Sequence, residues 1–373
     1  MLSYIIIFAS TYLGLYQALP LFQGSIYQGD YLAQAIRHLV LFYLTNQFTN
    51  FLWRQKFIPK LRIGPQRHAV LITGCDTGFG NLLARKLDRD GFKVYACCLF
   101  PNGEGAKQLK ADCSAMLQIV KMDVTSDEDV DEAYKQVERD LEQSGYQLLA
   151  VVNNAGILGT GEVEFGKTIE PFERQMEVNC MGTIRVTKAF GPLLRRCKTS
   201  PRLVNVTSLA ARISLPGMVG YCVSKCAALS FTDGVRIELQ KWNVKVVSIE
   251  PHLFRTNLIA MEAQHKALRR LWDTSRPVTR QDYGEKFFDG AKKLLDHGIG
   301  TARTNIPDVV QAMYDSVTVK YPEAHRKVCS SELERLRCWF LINVIPRALQ
   351  DYLLHLGAAF VTGAPEAKAS RTL

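Results

Sequence analysis

No lysine, arginine, aspartate or glutamate occurs between Met1 and Gly29 of this 373-residue chain. Without a basic start, that stretch does not match a cleaved signal peptide, and without arginine it does not match a transit peptide. The ten cysteines form no regular framework and no CxxC pair, and no histidine cluster accompanies them. A disulfide scaffold and a metal site are therefore not expected; reduced thiols in a cytosol-facing domain are. The net charge is +10, yet no basic stripe is interleaved with aromatics. Nucleic acid is thus not an expected partner, and the charge fits solubility plus a membrane flank. Repeats and low-complexity tracts are also missing. What remains is a chain with 47% hydrophobic residues, enough for one large α/β domain with additions or for two ordinary domains.

The uncharged start has a reading of its own. Leu2 to Phe22 is long enough to span a hydrocarbon core, which needs about 20 helical residues. A shorter apolar stretch, Leu39 to Trp53, forms a second span or lies at the interface. Arg54, Lys56, Lys60, Arg62 and Arg67 follow with no acid among them, matching the excess of basic residues on the cytoplasmic side. The expectation is a lipid-membrane anchor at the endoplasmic reticulum with the main domain in the cytosol, or alternatively at a mitochondrial membrane. The expected division is 1–66 anchor and linker, 67–330 catalytic domain, 331–373 apolar helical extension and flexible tail.

Beyond the anchor, strand-like and helix-like segments alternate. Strands are expected at His68–Thr73, Phe92–Leu99, Leu117–Met122, Leu148–Val152, Arg202–Thr207 and Val244–Ile249. Helices are expected at Leu82–Asp90, Glu128–Gln143, Phe172–Leu194 and Gly220–Gln240. This alternation predicts an α/β fold, a doubly wound parallel sheet covered on both faces.

Two motifs carry chemistry. Thr73-Gly74-Cys75-Asp76-Thr77-Gly78-Phe79-Gly80 stands between the first strand and its helix. There Gly74 permits the tight turn, Gly78 lets phosphate oxygens approach backbone amides, and Gly80 allows close helix packing. Asp123, at the end of the third strand, is a candidate adenine contact or a strand-end cap. The second strand ends in Cys98-Leu99-Phe100-Pro101 without an acid for a ribose 2′-hydroxyl, and the glycine turn holds no cation for a 2′-phosphate. NAD is the preferred expectation and NADP the alternative. The second motif is Gly-Tyr221-Cys-Val-Ser-Lys225, with Ser208 upstream. Tyr221 and Lys225 share one helix face. A nearby ammonium is expected to bring a tyrosine, ordinarily near 10, closer to working pH. Tyr221 would then exchange the alcohol proton while Ser208 holds the oxygen.

From Arg67 to Thr256 the chain resembles the short-chain dehydrogenase/reductase family, through TGxxxGxG, the strand-end Asp, NNAG, a helical Asn, the Ser, YxxxK and a following proline, all in order. The resemblance implies a Rossmann-like sheet of about seven strands. It implies cofactor binding by Gly74, Asp76, Thr77, Gly78, Phe79, Gly80, Asp123, Val124, Asn153, Ala155, Gly156, Tyr221, Lys225, Pro251 and Thr256. It makes Asn179 a fourth catalytic member beside Ser208, Tyr221 and Lys225, its main-chain carbonyl holding a water linked to the lysine. A homodimer rests on the same ground. His252 departs from the family's Pro-Gly, bearing on substrate preference. TGCDTGFG, Val-Asn-Asn-Ala-Gly-Ile, Gly-Glu-Val-Glu-Phe and Gly-Thr-Ile-Arg-Val-Thr-Lys-Ala-Phe resemble the branch of hydroxysteroid, retinol and 3-hydroxybutyrate dehydrogenases.

Substrate walls are expected from Leu158–Lys167, Leu209–Val219 and Leu253–Gly300. The apolar middle stretch favours a lipophilic alcohol or ketone such as a steroid or retinoid. Arg212, His252, Arg255 and Lys266 keep a small hydroxy acid open. Leu336 to Leu354 is expected to cover the pocket, lie on a bilayer or pack as an edge helix. A membrane-attached scaffold without enzymatic activity is the remaining alternative.

Overall fold

His68–Thr73 (β1), Lys93–Cys98 (β2) and Gln147–Asn153 (β4) are nearly continuous apolar runs because helices cover both of their faces. With Leu117–Lys121 (β3), Arg202–Val206 (β5), Lys245–Pro251 (β6) and His325–Val328 (β7), they form one sheet in the order β3-β2-β1-β4-β5-β6-β7. Every pairing is parallel. The computed structural model describes residues 2–18, 31–56, 61–256, 260–329 and 331–366.

The chain divides into two units: Met1–Ile63 with Val319–Tyr321, and Gly64–Thr318 with Pro322–Leu373. In the first, helices Leu2–Ala18 (α1) and Tyr31–Lys56 (α2) pack through Phe8 edge-on to Phe42 and Tyr12 hydrogen-bonded to His38. Leu39, Phe42 and Tyr43 stay exposed. Among the described residues, no helix is long and apolar enough to cross a membrane. The end of the expected Leu2–Phe22 span, residues 57–60 of the basic run and most of the expected flexible tail lie outside the described residues.

In the second unit the helices are Gly78–Arg89 (α3), Glu104–Asp112 (α4), Asp127–Ser144 (α5), Glu170–Met176 (α6), Gly182–Arg196 (α7) and Val219–Leu239 (α8). Met261–Thr274 (α9), Pro277–Thr301 (α10), Ile306–Thr318 (α11), Glu332–Asn343 (α12) and Arg347–Thr362 (α13) follow. Strand alternation divides the core: Ala69 and Leu71 join Val130, Val137, Val186, Phe190 and Val235 of α5, α7 and α8. Val70 and Ile72, equally buried, point to the opposite face. A separate aromatic core of Phe165, Trp272, Phe287 and Phe288 builds the region of α9 and α10.

The expected helix Phe172–Leu194 is interrupted. Glu177–Met181 widens into a π-helical turn between α6 and α7. The expected single segment Leu336–Leu354 is two helices, parted at Val344–Pro346, where Pro346 precedes α13. Helix α4 and strand β7 had no strong periodicity to announce them.

Helix α5 has complementary ends. Ser126 accepts a hydrogen bond from the Asp129 amide, three acids occupy the first turn, and Gly145 closes the helix with φ 69°. Replacing the cap, Ser126→Ala, is expected to lower stability by about 1 kcal/mol. In thermal denaturation of the full chain, Tm should fall by about 2–4 °C with activity retained.

Candidate active site

The sheet reverses its winding between β1 and β4, and in such sheets ligands bind outside the carboxyl ends at that point. Two clefts open there. The first, about 580 Å³, is lined by the glycine turn, Leu99, Asp123, Val124, Ala155 and Glu177. The second, about 300 Å³, holds Ser208, Tyr221 and Lys225 among apolar walls. Phe79, Asn154, Gly156 and Thr256 belong to both.

The first cleft fits a dinucleotide on its own geometry. Gly74 and Gly78 both have φ 68°. A Cβ on Gly74 would lie 2.8 Å from the Ala155 Cα, and one on Gly105 would lie 1.7 Å from the Asp76 carbonyl oxygen. Glycine at these places lets three chain segments close around the turn. Helix α3 starts there with no side-chain cap and no acid in its first turn, so its amides and positive end are left for an anion such as a pyrophosphate. The acid missing after β2 comes from the turn itself. The Asp76 carboxylate accepts hydrogen bonds from Leu99 N at 3.0 Å and Phe100 N at 2.9 Å. Asp123 lines the cleft and also caps its own turn, accepting from the Thr125 amide and hydroxyl at 2.9 and 2.7 Å.

Five expected cofactor residues lie outside this cleft, Tyr221 and Lys225 among them in the second cleft. Gly80 sits under the turn: its missing Cβ leaves room for the Gly74 carbonyl and the Asn154 amide group. Asn153 is buried in the sheet, where its Nδ2 donates to Asn205 at 2.9 Å and Thr187 at 3.2 Å. Pro251 lines the second cleft. The neighbour Asn154 was missed. Its Nδ2 donates to the carbonyls of Thr73 and Gly74 at 2.9 and 3.0 Å and fixes the turn. The doubled Asn in NNAG was its signal.

In the second cleft, Tyr221 and Lys225 rise from the first turns of α8, and Ser208 stands just past β5. Lys225 Nζ donates to the Val206 carbonyl at 2.9 Å and lies 5.8 Å from the Tyr221 ring centre. Ser208 Oγ accepts from the Ala210 amide at 3.1 Å and donates at 3.4 Å to the Pro251 carbonyl. Asn179 lies behind, in the π turn. It bridges the Ile157 backbone in both directions and donates to Ser224 at 2.9 Å, and its own carbonyl accepts from the Thr183 hydroxyl. Gly156 is closely approached: an added Cβ would lie 3.1 Å from Asn179 Oδ1 and 3.3 Å from Lys225 Nζ.

The electrostatics correct one expectation. Burial pushes the Tyr221 phenol up to about 12, against a lowering by its hydrogen bond with Ser208. Burial also pulls the Lys225 ammonium down to about 8, with the Cys180 thiol opposing. In this state Lys225 does not make Tyr221 more acidic; desolvation governs both groups.

Arg212 is not available to clamp a substrate carboxylate. It donates to both oxygens of Glu250, which is fully buried, at 2.9 and 2.7 Å. His325 lies 3.1 Å from the same carboxylate and 3.3 Å from Asp233. His252 faces the second cleft, with Nδ1 3.6 Å from Glu334 of α12. Cys338, Leu341 and Leu354 of α12 and α13 complete that cleft, so the carboxyl-terminal helices cover it.

A profile of the short chain dehydrogenase family matches residues 68–267. The chain is 38% identical over 259 residues to the mitochondrial D-beta-hydroxybutyrate dehydrogenase of Bos taurus, covering 68% of this chain and 74% of the relative. It is 34% identical over 285 residues to 17-beta-hydroxysteroid dehydrogenase type 6 of Homo sapiens, covering 76% and 87%. Among solved structures, a short chain dehydrogenase/reductase from Burkholderia phymatum in complex with NAD superposes with a TM-score of 0.58 at 21% identity, over 72% of this chain and 92% of that one.

The buried pair is expected to dominate stability near the site. Arg212→Ala leaves the buried Glu250 charge with only His325 beside it and should cost on the order of 3 kcal/mol in chemical denaturation. The double variant Arg212→Met/Glu250→Leu should recover most of that loss.

Proposed function

The chain belongs to the short chain dehydrogenase family and is an NAD(P)-dependent oxidoreductase, and from that premise we propose that it interconverts a lipophilic secondary alcohol and its ketone at a membrane, with a steroid as the substrate class. The observation that carries this reading is the second cleft. Its reacting end is Ser208, Tyr221 and Lys225, and the rest of its wall is mostly apolar, including Ile213, Met218, Leu341 and Leu354. A ligand gains there by covering apolar surface. A hydroxy acid finds less, because Arg212 is committed to Glu250.

Each residue then has a task. Ser208 Oγ holds the substrate oxygen. Tyr221 Oη takes the hydroxyl proton in oxidation and returns it in reduction. The bound nicotinamide supplies the chemistry the side chains lack, accepting or giving the hydride. Lys225 adds positive charge beside the phenol and meets the nicotinamide ribose. Asn179 holds the loop at Ile157 after β4 and the Ser224 turn of α8 in place. Gly74, Gly78 and the start of α3 receive the pyrophosphate, with Asp123, Val124 and Thr256 around the remainder. The Asp76 carboxylate at the end of β2 favours NAD, since a 2′-phosphate would meet its negative charge.

The helical pair α1–α2 supports the membrane part of the proposal. Its exposed Leu39, Val40, Phe42, Tyr43 and Leu44 make a surface suited to lipid rather than water. The proposed organisation is anchor 1–66, catalytic domain 67–330 and covering helices with tail 331–373, on the cytosolic side of the endoplasmic reticulum.

Two measurements test this. With membrane segment retained, the chain should oxidise sterols far better than 3-hydroxybutyrate, and Tyr221→Phe should keep NADH binding, read by fluorescence, while losing about 10²–10⁴-fold in turnover. Preferred turnover of 3-hydroxybutyrate, or wild-type protein that binds no nucleotide, would overturn the reading. The pH dependence has a definite sign. Below about 8, Tyr221 is a neutral phenol and Lys225 is charged. Oxidation needs the phenolate, so its kcat/KM should rise steadily with pH from 6 upward, because the phenol loses its proton only toward about 12. Reduction needs the phenol and should stay flat from about pH 6 to 8.

A further inference from the structure

Behind the catalytic cleft lies a smaller chamber of about 100 Å³. Leu158, Met218 and Leu253 wall both spaces, so these three side chains are the partition between them. The partition is held from the main chain: the Gly161 amide donates to the Gly217 carbonyl at 2.8 Å, tying the loop after Leu158 to the loop that ends in Met218. Gln175 and Gln264 brace the same loop, through Gly159 N at 2.8 Å and the Leu158 carbonyl at 3.3 Å. Met218, unbranched and with three rotatable bonds, is the member best able to move aside.

The far walls are Leu268, Ala291, Leu294, Leu295 and Ile299, with one ionisable side chain, Glu162. No hydrogen bond or ion pair engages the Glu162 carboxylate among the described residues. Burial pushes it up, and Glu164 adds to the effect. Glu164 itself is taken by the Tyr283 hydroxyl at 2.7 Å.

We propose that this chamber is a distal subsite for the substrate: it receives the end of an elongated apolar alcohol remote from the reacting carbon, and Glu162 hydrogen-bonds a hydroxyl at that end. The inference rests on the lipophilic-alcohol reading above and sharpens it to a long molecule with polar groups at both ends. A polar group with an open hydrogen-bonding position at the end of an apolar pocket sets orientation, because a substrate lacking the matching hydroxyl leaves it unpaired.

Gly298 gives a clean test. It lines the chamber, lies in α10, and an added Cβ there would have no heavy atom within 4 Å. Gly298→Leu therefore adds an apolar side chain at the chamber wall, with free space around its Cβ. The full-length enzyme would be assayed with an androstane diol hydroxylated at both ends, the two corresponding mono-ols, and 2-butanol as a short control. For Gly298→Leu, KM for the diol should rise about tenfold or more, with 2-butanol turnover and Tm unchanged. For Glu162→Leu, the ratio of kcat/KM for diol over mono-ol should fall about tenfold, the worth of one hydrogen bond to a charged group. Diol kinetics that survive both substitutions in folded protein would overturn the subsite. Wild-type enzyme that turns over none of the ring alcohols would instead overturn the lipophilic-alcohol reading on which it rests.

Discussion

The close approach of three backbone segments at the carboxyl ends of β1 and β4 is the constraint on which the rest depends. Thr73 Oγ1 accepts hydrogen bonds from the Asn154 and Ala155 amides, both at 3.0 Å, and Asn154 answers through its side chain to Thr73 and Gly74. Only glycine at 74 leaves room for Ala155, and at 156 the absence of a Cβ lets Asn179 and Lys225 come close on the other side. The strand ends are thereby fixed against each other before any ligand is considered. One side of the junction is a cradle for an anion, and the other is the back wall of the reacting cleft.

From that junction a buried polar chain runs through the sheet. Asn153 on β4 donates to Asn205 on β5, and Asn205 donates to Thr232 on α8 at 2.9 Å. The helix that carries Tyr221 and Lys225 is thus referenced to the strands by directional bonds as well as by apolar packing. A second buried connection, Arg212 to Glu250 to His325, ties the turn after Ser208 to β6 and β7. Such groups cost desolvation, which these hydrogen bonds and ion pairs offset, although the Asn153 Oδ1 is buried without a hydrogen-bond partner.

Much of this was legible in the sequence where a local pattern had a local cause. Six strands and the helices α3, α5 and α8 follow from apolar runs and their punctuation, and the glycine turn follows from backbone geometry that other residues resist. What was not legible depended on distance in sequence. Asp76 and the end of β2 are 23 residues from Leu99 to carboxylate, so an acid that serves the strand end was invisible at the strand end. Arg212 looked free because its partner Glu250 stands 38 residues on. The i and i+4 spacing of Tyr221 and Lys225 speaks of proximity and says nothing of the burial that pushes the phenol up in the cofactor-free chain. Strand β7 is short and half-buried, with His, Arg and Lys in four residues, and edge position rather than composition makes it a strand.

The π-helical turn at Glu177–Met181 has a geometric consequence. An α-helix advances about 100° per residue, so one surplus residue swings everything after it by that angle. Gln175 before the turn points to the substrate loop, and Val186 after it points into the sheet core. The surplus residue acts as a phase shift that lets one continuous rod address two unrelated surfaces. Its removal would restore an ordinary winding and send the downstream stripe of Val186, Phe190 and Leu193 off the sheet, so the length of this segment is as constrained as its composition.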